Sequence, residues 1–115
     1  METIIISDKE VEWESHPMVK DIKIKVFLSK RDHNADLTCM LVSLPKGSSF
    51  PEHIHENQDD IVYYLKGKCR VWIEGIGEII AEEGTFLRIP KNTRHAVLEA
   101  LEDTLLYDVF CPPMI

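Results

Sequence analysis

Hydrophobic positions in this chain recur with a period of two. Ile22, Ile24 and Val26 alternate with Lys23 and Lys25. On an extended backbone that spacing puts the apolar side chains on one face and the charged ones on the other. Further β-rich runs follow at Leu37–Leu44, Ile61–Leu65, Cys69–Ile73, Glu78–Ala81, Thr85–Ile89 and Thr104–Phe110. Prolines and glycines fall between these runs or at their margins, and Gly75-Ile76-Gly77 reads as a hairpin tip. Many short strands punctuated by turn residues predict an all-β sandwich or barrel. Two segments pull the other way. Lys9–Glu14 is charged and suits one helical turn, and Ala96–Asp103 (AVLEALED) has helix propensity. The motif spacing around the second segment decides for strand.

A chain of 115 residues holds one core, so residues 1–115 are read as a single domain. The formal net charge of −7 argues against nucleic acid, which needs clustered Lys and Arg, and equally against docking on an anionic membrane. Basic residues do gather between Lys20 and Arg31, but they alternate with apolar ones and read as a solvated strand face. The start, METIIISDKE, has three consecutive isoleucines before charge resumes, too few for a leader or a membrane span. Cys39, Cys69 and Cys111 are odd in number and widely spaced, which predicts reduced thiols in a cytoplasmic protein.

Candidate chemistry begins at Gly47-Ser-Ser-Phe-Pro-Glu-His53-Ile-His55. Two histidines two residues apart on a strand share a face and can reach one ion. Asp59-Asp60 follows, then the apolar run Ile61–Leu65, and His95 lies well downstream after Ile89-Pro90 and a turn over Lys91–Arg94. An antiparallel barrel can bring that distant strand beside the first.

Taken together, Gly47, His53, His55, Asp60 and Gly67 resemble the first motif of the cupin superfamily without a gap. Gly84, Pro90 and His95 resemble its second motif at matching spacings. The likeness runs from Gly47 to about Glu99, with the first motif at 47–67 and the second at 84–99. It implies a small single-domain cupin barrel of the cupin 2 type, a jelly roll or double-stranded β-helix. It also implies one divalent transition metal per chain (Mn, Fe, Co, Ni or Zn) on His53, His55 and His95. Three departures stand out. Asp60 replaces the usual glutamate, one methylene shorter, as the fourth ligand. Asn92 replaces a glycine, and Glu99 replaces an asparagine. The donor chemistry suits such ions independently, with metal–ligand distances of about 2.0–2.2 Å and open positions left for a ligand.

Around this centre, strand alternation from Asp60 puts Val62 and Tyr64 on the metal face, with Tyr64 either a core aromatic or a proton carrier. Glu56 and Asp59 read as surface turn residues, Asp59 being the fallback ligand if register slips. His16 and His33 read as surface residues. Arg70 and Trp72 share a partly wet face, outside the barrel or at the cavity mouth. The last strand, Tyr107-Asp108-Val109-Phe110-Cys111-Pro112-Pro113, resembles the closing strand of small cupins acting on unsaturated uronates. That resemblance turns Asp108 inward as acid/base, with pairing to Arg88 or Arg94 as the alternative. Where those relatives carry a substrate-holding arginine, this chain has Met114.

The resulting expectation is a metal-dependent enzyme (isomerase, lyase, decarboxylase or dioxygenase) acting on a small oxygen-rich metabolite through Asp108 or Tyr64. The alternatives are a non-catalytic small-ligand-binding or sensory cupin, and a metal-free structural one. A homodimer is expected because so small a barrel has edge strands to cover, and Ile4–Ile6 offers a strand to the neighbour.

Overall fold

The computed structural model describes residues 2–115. Its ten strands are β1 Glu14–Ser15, β2 Lys23–Leu28, β3 Thr38–Leu44, β4 Phe50–His53, β5 Asp59–Lys66, β6 Lys68–Ile73, β7 Gly77–Glu82, β8 Phe86–Ile89, β9 His95–Ala100 and β10 Thr104–Cys111. They pair antiparallel in two sheets, one of six strands in the order β1-β2-β3-β10-β5-β8 and one of four in the order β4-β9-β6-β7. The sheets face each other, as two half-buried sheets must to cover their apolar faces. Among the helical pieces is a single turn, Lys30–His33, capped by the Ser29 side chain and closed by Asn34 in left-handed geometry.

The core follows the period-two pattern. Ile24, Met40, Val42, Val62, Val71 and Leu106 all turn into the space between the sheets. The segment with helix propensity is strand β9. Its Val97 pairs with Phe50 of β4 and, through the other edge, with Val71 of β6. Flanked on both sides, the segment gains two ladders that a lone helix could not offer, so tertiary pairing overrides propensity. The charged segment near the N-terminus does form one helical turn, a 3-10 piece over Asp8–Glu10.

One strand-face expectation changes. Lys25 is buried rather than solvated. The N-terminal segment folds back over it: Lys25 Nζ donates to the Asp8 carbonyl at 2.8 Å and sits 4.8 Å above the Trp13 ring. The ammonium keeps a polar partner while its stem is covered. Ile4–Ile6 forms no strand and is exposed.

Gly67 joins β5 to β6 at a φ of +93°, and a Cβ placed there would collide with the Thr104 hydroxyl and the Asp103 carbonyl. The Thr104 hydroxyl is itself committed, accepting from the Lys68 amide at 3.2 Å and donating to the Glu102 carbonyl at 2.9 Å. Backbone cannot yield here as a flexible side chain could. Gly67→Ala is therefore expected to destabilise the fold by about 3 kcal/mol, from left-handed strain plus the clash. Urea denaturation reads this as a lower midpoint, and an unchanged midpoint would show that the turn relaxes.

Candidate metal centre

Strand β4 ends on His53, and His55 lies two residues beyond it in coil. The two histidines therefore do not share one continuous strand, as the spacing suggested. They converge because the chain curls inward after β4, and a backbone bond holds the curl: the Asn92 amide donates to the His55 carbonyl at 2.8 Å. Asn92 stands at φ +65°, the left-handed turn position where the motif has glycine. The second-motif turn thus braces the loop of the first. His95 opens β9 and pairs directly with His53 across the β4–β9 ladder.

The rings of His53 and its two neighbours pack edge to face, with centroids 4.1 Å apart for His53–His95 and 4.8 Å for His53–His55, while His55 and His95 are tilted to each other at 5.2 Å. Their donor atoms all lie within 4.8 Å of one another. Ligands about 2.1 Å from one ion stand up to about 4.2 Å apart, so small ring rotations suffice to close the set. His53 Nδ1 is 2.8 Å from the Pro51 carbonyl, and His95 Nδ1 is 2.9 Å from the Thr93 carbonyl. A carbonyl only accepts, so each Nδ1 carries the hydrogen and each Nε2 presents a lone pair. Burial above all, and the neighbouring imidazoles, lower the pKa values of His53 and His55, favouring the neutral, ligating form.

Asp60 enters from β5. One carboxylate oxygen lies 3.5 Å from His95 Nε2 and 3.8 Å from His55 Nε2. The Nε2 lone pair of His95 therefore faces a carboxylate oxygen. The other Asp60 oxygen and His95 Nε2 are buried without a hydrogen-bond partner. Buried acceptors without a partner are costly unless a cation stands by them, and the donor set fits a divalent transition ion.

Asp108, on β10, is buried and turned inward, and its Oδ1 also lacks a partner. Burial raises its pKa well above the usual carboxylate range, and the adjacent Asp60 charge pushes the same way. Burial works against charge on Asp60 too, but contacts with Asp108 and the histidines outweigh it and hold that carboxyl low. The pair is thus split into one anion and one acid. Neither Arg88 nor Arg94 reaches Asp108: Arg88 pairs with Asp59 at 2.8 Å, and Arg94 lies 3.6 Å from Glu52.

Asp59 is no spare ligand. Its carboxylate is spent on Arg88 and on the Lys91 amide, pinning the turn before His95. Tyr64 is buried, and its phenol pKa is raised by burial, by Cys69 and by the two aspartates. Arg70 and Trp72 lie on the outer face of the small sheet, opposite the buried Cys69, Val71 and Ile73. His33 is half-buried at its helical turn, its Nδ1 accepting from the Ser29 amide.

His16 is no surface residue. It is half-buried, stacked edge-on against Phe50 at 4.8 Å, and it lines the cavity beside the metal centre. No sequence signal marks it, because its neighbours come from β4, far along the chain. The cavity it borders has a volume of about 270 Å3 and also touches Asp60, Tyr64, Asp108 and all three candidate histidine ligands.

Comparisons with known proteins show the family and the fold. Residues 40–110 match the family described as Cupin domain. The chain is 30% identical to the pectin degradation protein KdgF of Dickeya dadantii (strain 3937) over 105 residues, 91% of this chain and 89% of that one. The solved structure of KdgF from Halomonas sp. superposes with a TM-score of 0.75 at 27% identity, covering 90% of each chain. Ectoine synthase from P. lautus shares the fold with a TM-score of 0.83 at 16% identity, covering 97% of this chain and 80% of that one.

Proposed function

This chain belongs to the cupin family, and from that premise we propose that it is a metal-dependent enzyme acting on a small molecule. His53, His55 and His95 would hold one divalent transition ion, with Asp60 as the fourth ligand and Asp108 as the proton carrier. One observation carries the catalytic part of this reading. The buried Asp108 carboxyl, whose Oδ1 has no hydrogen-bond partner, lines the same cavity as the three imidazoles. A core aspartate kept only for packing would be expensive, since it could be replaced by an apolar side chain.

A divalent ion held there supplies a Lewis acid that polarises a ligand oxygen. The chain's own residues do the rest. The Nδ1–H bonds to Pro51 and Thr93 fix the His53 and His95 rings in their ligating orientation. The apolar walls exclude water from the ligand. Asp108, held as the acid beside the Asp60 anion, would first give its proton to the polarised oxygen and then, as the carboxylate, take one from the adjacent carbon, the C–H electron pair becoming the C=C bond of an enol. Tyr64 lines the same cavity with a neutral hydroxyl. Enolisation, isomerisation and lyase chemistry all begin with such a step.

The likeness to pectin degradation proteins suggests a sugar acid as one candidate ligand, which would be anionic and polyhydroxylated. The apolar lining favours a second reading, a binding module in which the metal only anchors a ligand. Proton exchange separates them. Metal-loaded protein in D2O should place deuterium beside the carbonyl of a chelating ligand such as a 2-oxo acid or 1,2-diketone. Binding without exchange of any such compound would leave the binding module.

We take residues 1–115 as one such domain, working as a homodimer. Tyr63, Leu65 and Phe86 are exposed on the outer side of the large sheet, whose β8 edge is unpaired. Light scattering should give the mass of two 13.3 kDa chains. A monomer at micromolar concentration would refute the dimer.

A further inference from the structure

Most polar groups of the cavity surround the candidate metal centre, where Asp60 adjoins His55, His95 and Asp108, and His16 stands beside His53. Tyr64 lines the cavity further along β5, opposite Leu106. The remaining wall is apolar, built by residues such as Met40, Val42, Leu44, Val71, Leu87 and Leu106. Among the described residues no lysine, arginine, asparagine, glutamine, serine or threonine lines this space. The tail closes one side with Met114 and Ile115, held by the Thr38 hydroxyl, which donates to the Ile115 carbonyl and accepts from the Met114 and Ile115 amides at 3.1 Å.

That distribution constrains the ligand. Each hydroxyl brought against the apolar wall would lose its water without gaining a partner, at a cost of about 1–3 kcal/mol apiece. A carboxylate pointing away from the metal end would find no cation. One at the metal end would stand against the Asp60 carboxylate already there. At about 270 Å3 the space is slightly smaller than the usual ligand pocket of about 300–1,000 Å3. Resting on the metal-site reading above, we propose that the cavity takes a small ligand with an apolar body and a chelating pair of oxygens at one end. Polyhydroxylated carboxylates are thereby excluded as its preferred ligands. The oxygen-rich metabolite expected from sequence narrows to one whose oxygens sit at the metal.

Straight-chain alkyl hydroxamates from acetyl to hexanoyl test this, since each keeps one two-oxygen chelating head while the apolar body lengthens. Titrated into nickel-loaded native protein, affinity should rise about fourfold per methylene until the cavity is full. Galacturonate should bind more weakly than the hexanoyl compound. A flat or falling series, or tighter binding of galacturonate, overturns the proposal. Met114 is exposed at the mouth, so Met114→Arg should fold, and its guanidinium should raise galacturonate affinity about tenfold. Native protein that already binds galacturonate as tightly as the variant overturns the proposal as well. Xenon keeps this inference separate from the metal reading. In metal-free protein it should shift the methyl resonances of Val42, Val71 and Leu106. Absence of those shifts removes the apolar cavity whatever the metal result, whereas shifts in a protein that takes up no metal leave the apolar body standing and the metal site refuted.

Discussion

Replacing His95 by alanine is expected to abolish stoichiometric metal binding. The native protein should carry about one transition ion per chain after exposure to Mn, Fe, Co, Ni or Zn. His95 supplies one of three imidazoles, and its Nε2 is buried without a protein partner. Loss of an outer partner of a ligand costs about 10–100-fold in metal affinity, so loss of the ligand itself should exceed about 100-fold. Asp60 sets the internal scale of this experiment. Its side chain is short, so Asp60→Ala should weaken binding less than His95→Ala, and Asp60→Glu should restore it or improve it. Elemental analysis of dialysed protein reads all three variants. Undiminished metal in His95→Ala would remove that residue from the site, and no metal in native protein under any of these ions would remove the site.

Exchanging Asp108 for asparagine should leave metal content and fold nearly unchanged while slowing deuterium exchange by about 10²–10⁴, the usual contribution of a positioned acid or base. Asparagine matches aspartate in shape and can still donate to Asp60, so the buried space stays filled. What disappears is the ability to take up and return a proton. A binding module would respond differently, because ligand affinity would survive with no rate to lose. Exchange at the native rate in Asp108→Asn would assign the proton to another group, and Tyr64→Phe is then the informative variant. Thermal unfolding checks the assumption of an intact fold. A Tm fall of many degrees would mean that Asp108 holds β10 against β5 rather than moving protons.

Strand alternation along β5, β6 and β10 was legible in the sequence because in each strand the more and the less buried positions alternate. Period two is the direct consequence of that environment. The family likeness was equally legible, because turns and ion-binding donors need particular residues at particular spacings. Gly67 is such a case, with a positive φ and no room for a Cβ. Asn92 is another, tolerating the left-handed turn that braces His55.

Other features depend on contacts between segments distant in the chain. Lys25 sits in the polar half of an alternating pattern, and only the N-terminal segment folding over it makes it buried. His16 has no local motif, yet Phe50 and His53 make it part of the cavity wall. Asp59 and Asp60 are adjacent and chemically alike. Register against β8 and β10 sends Asp60 inward and leaves Asp59 to Arg88. Side-chain period alone could not say which neighbour faces the core, since a slip of one residue exchanges their roles. The apolar wall is decided at the same level. Its residues come from both sheets, each with an ordinary core pattern, and whether they meet in solid packing or around a space depends on how far apart the sheets stand.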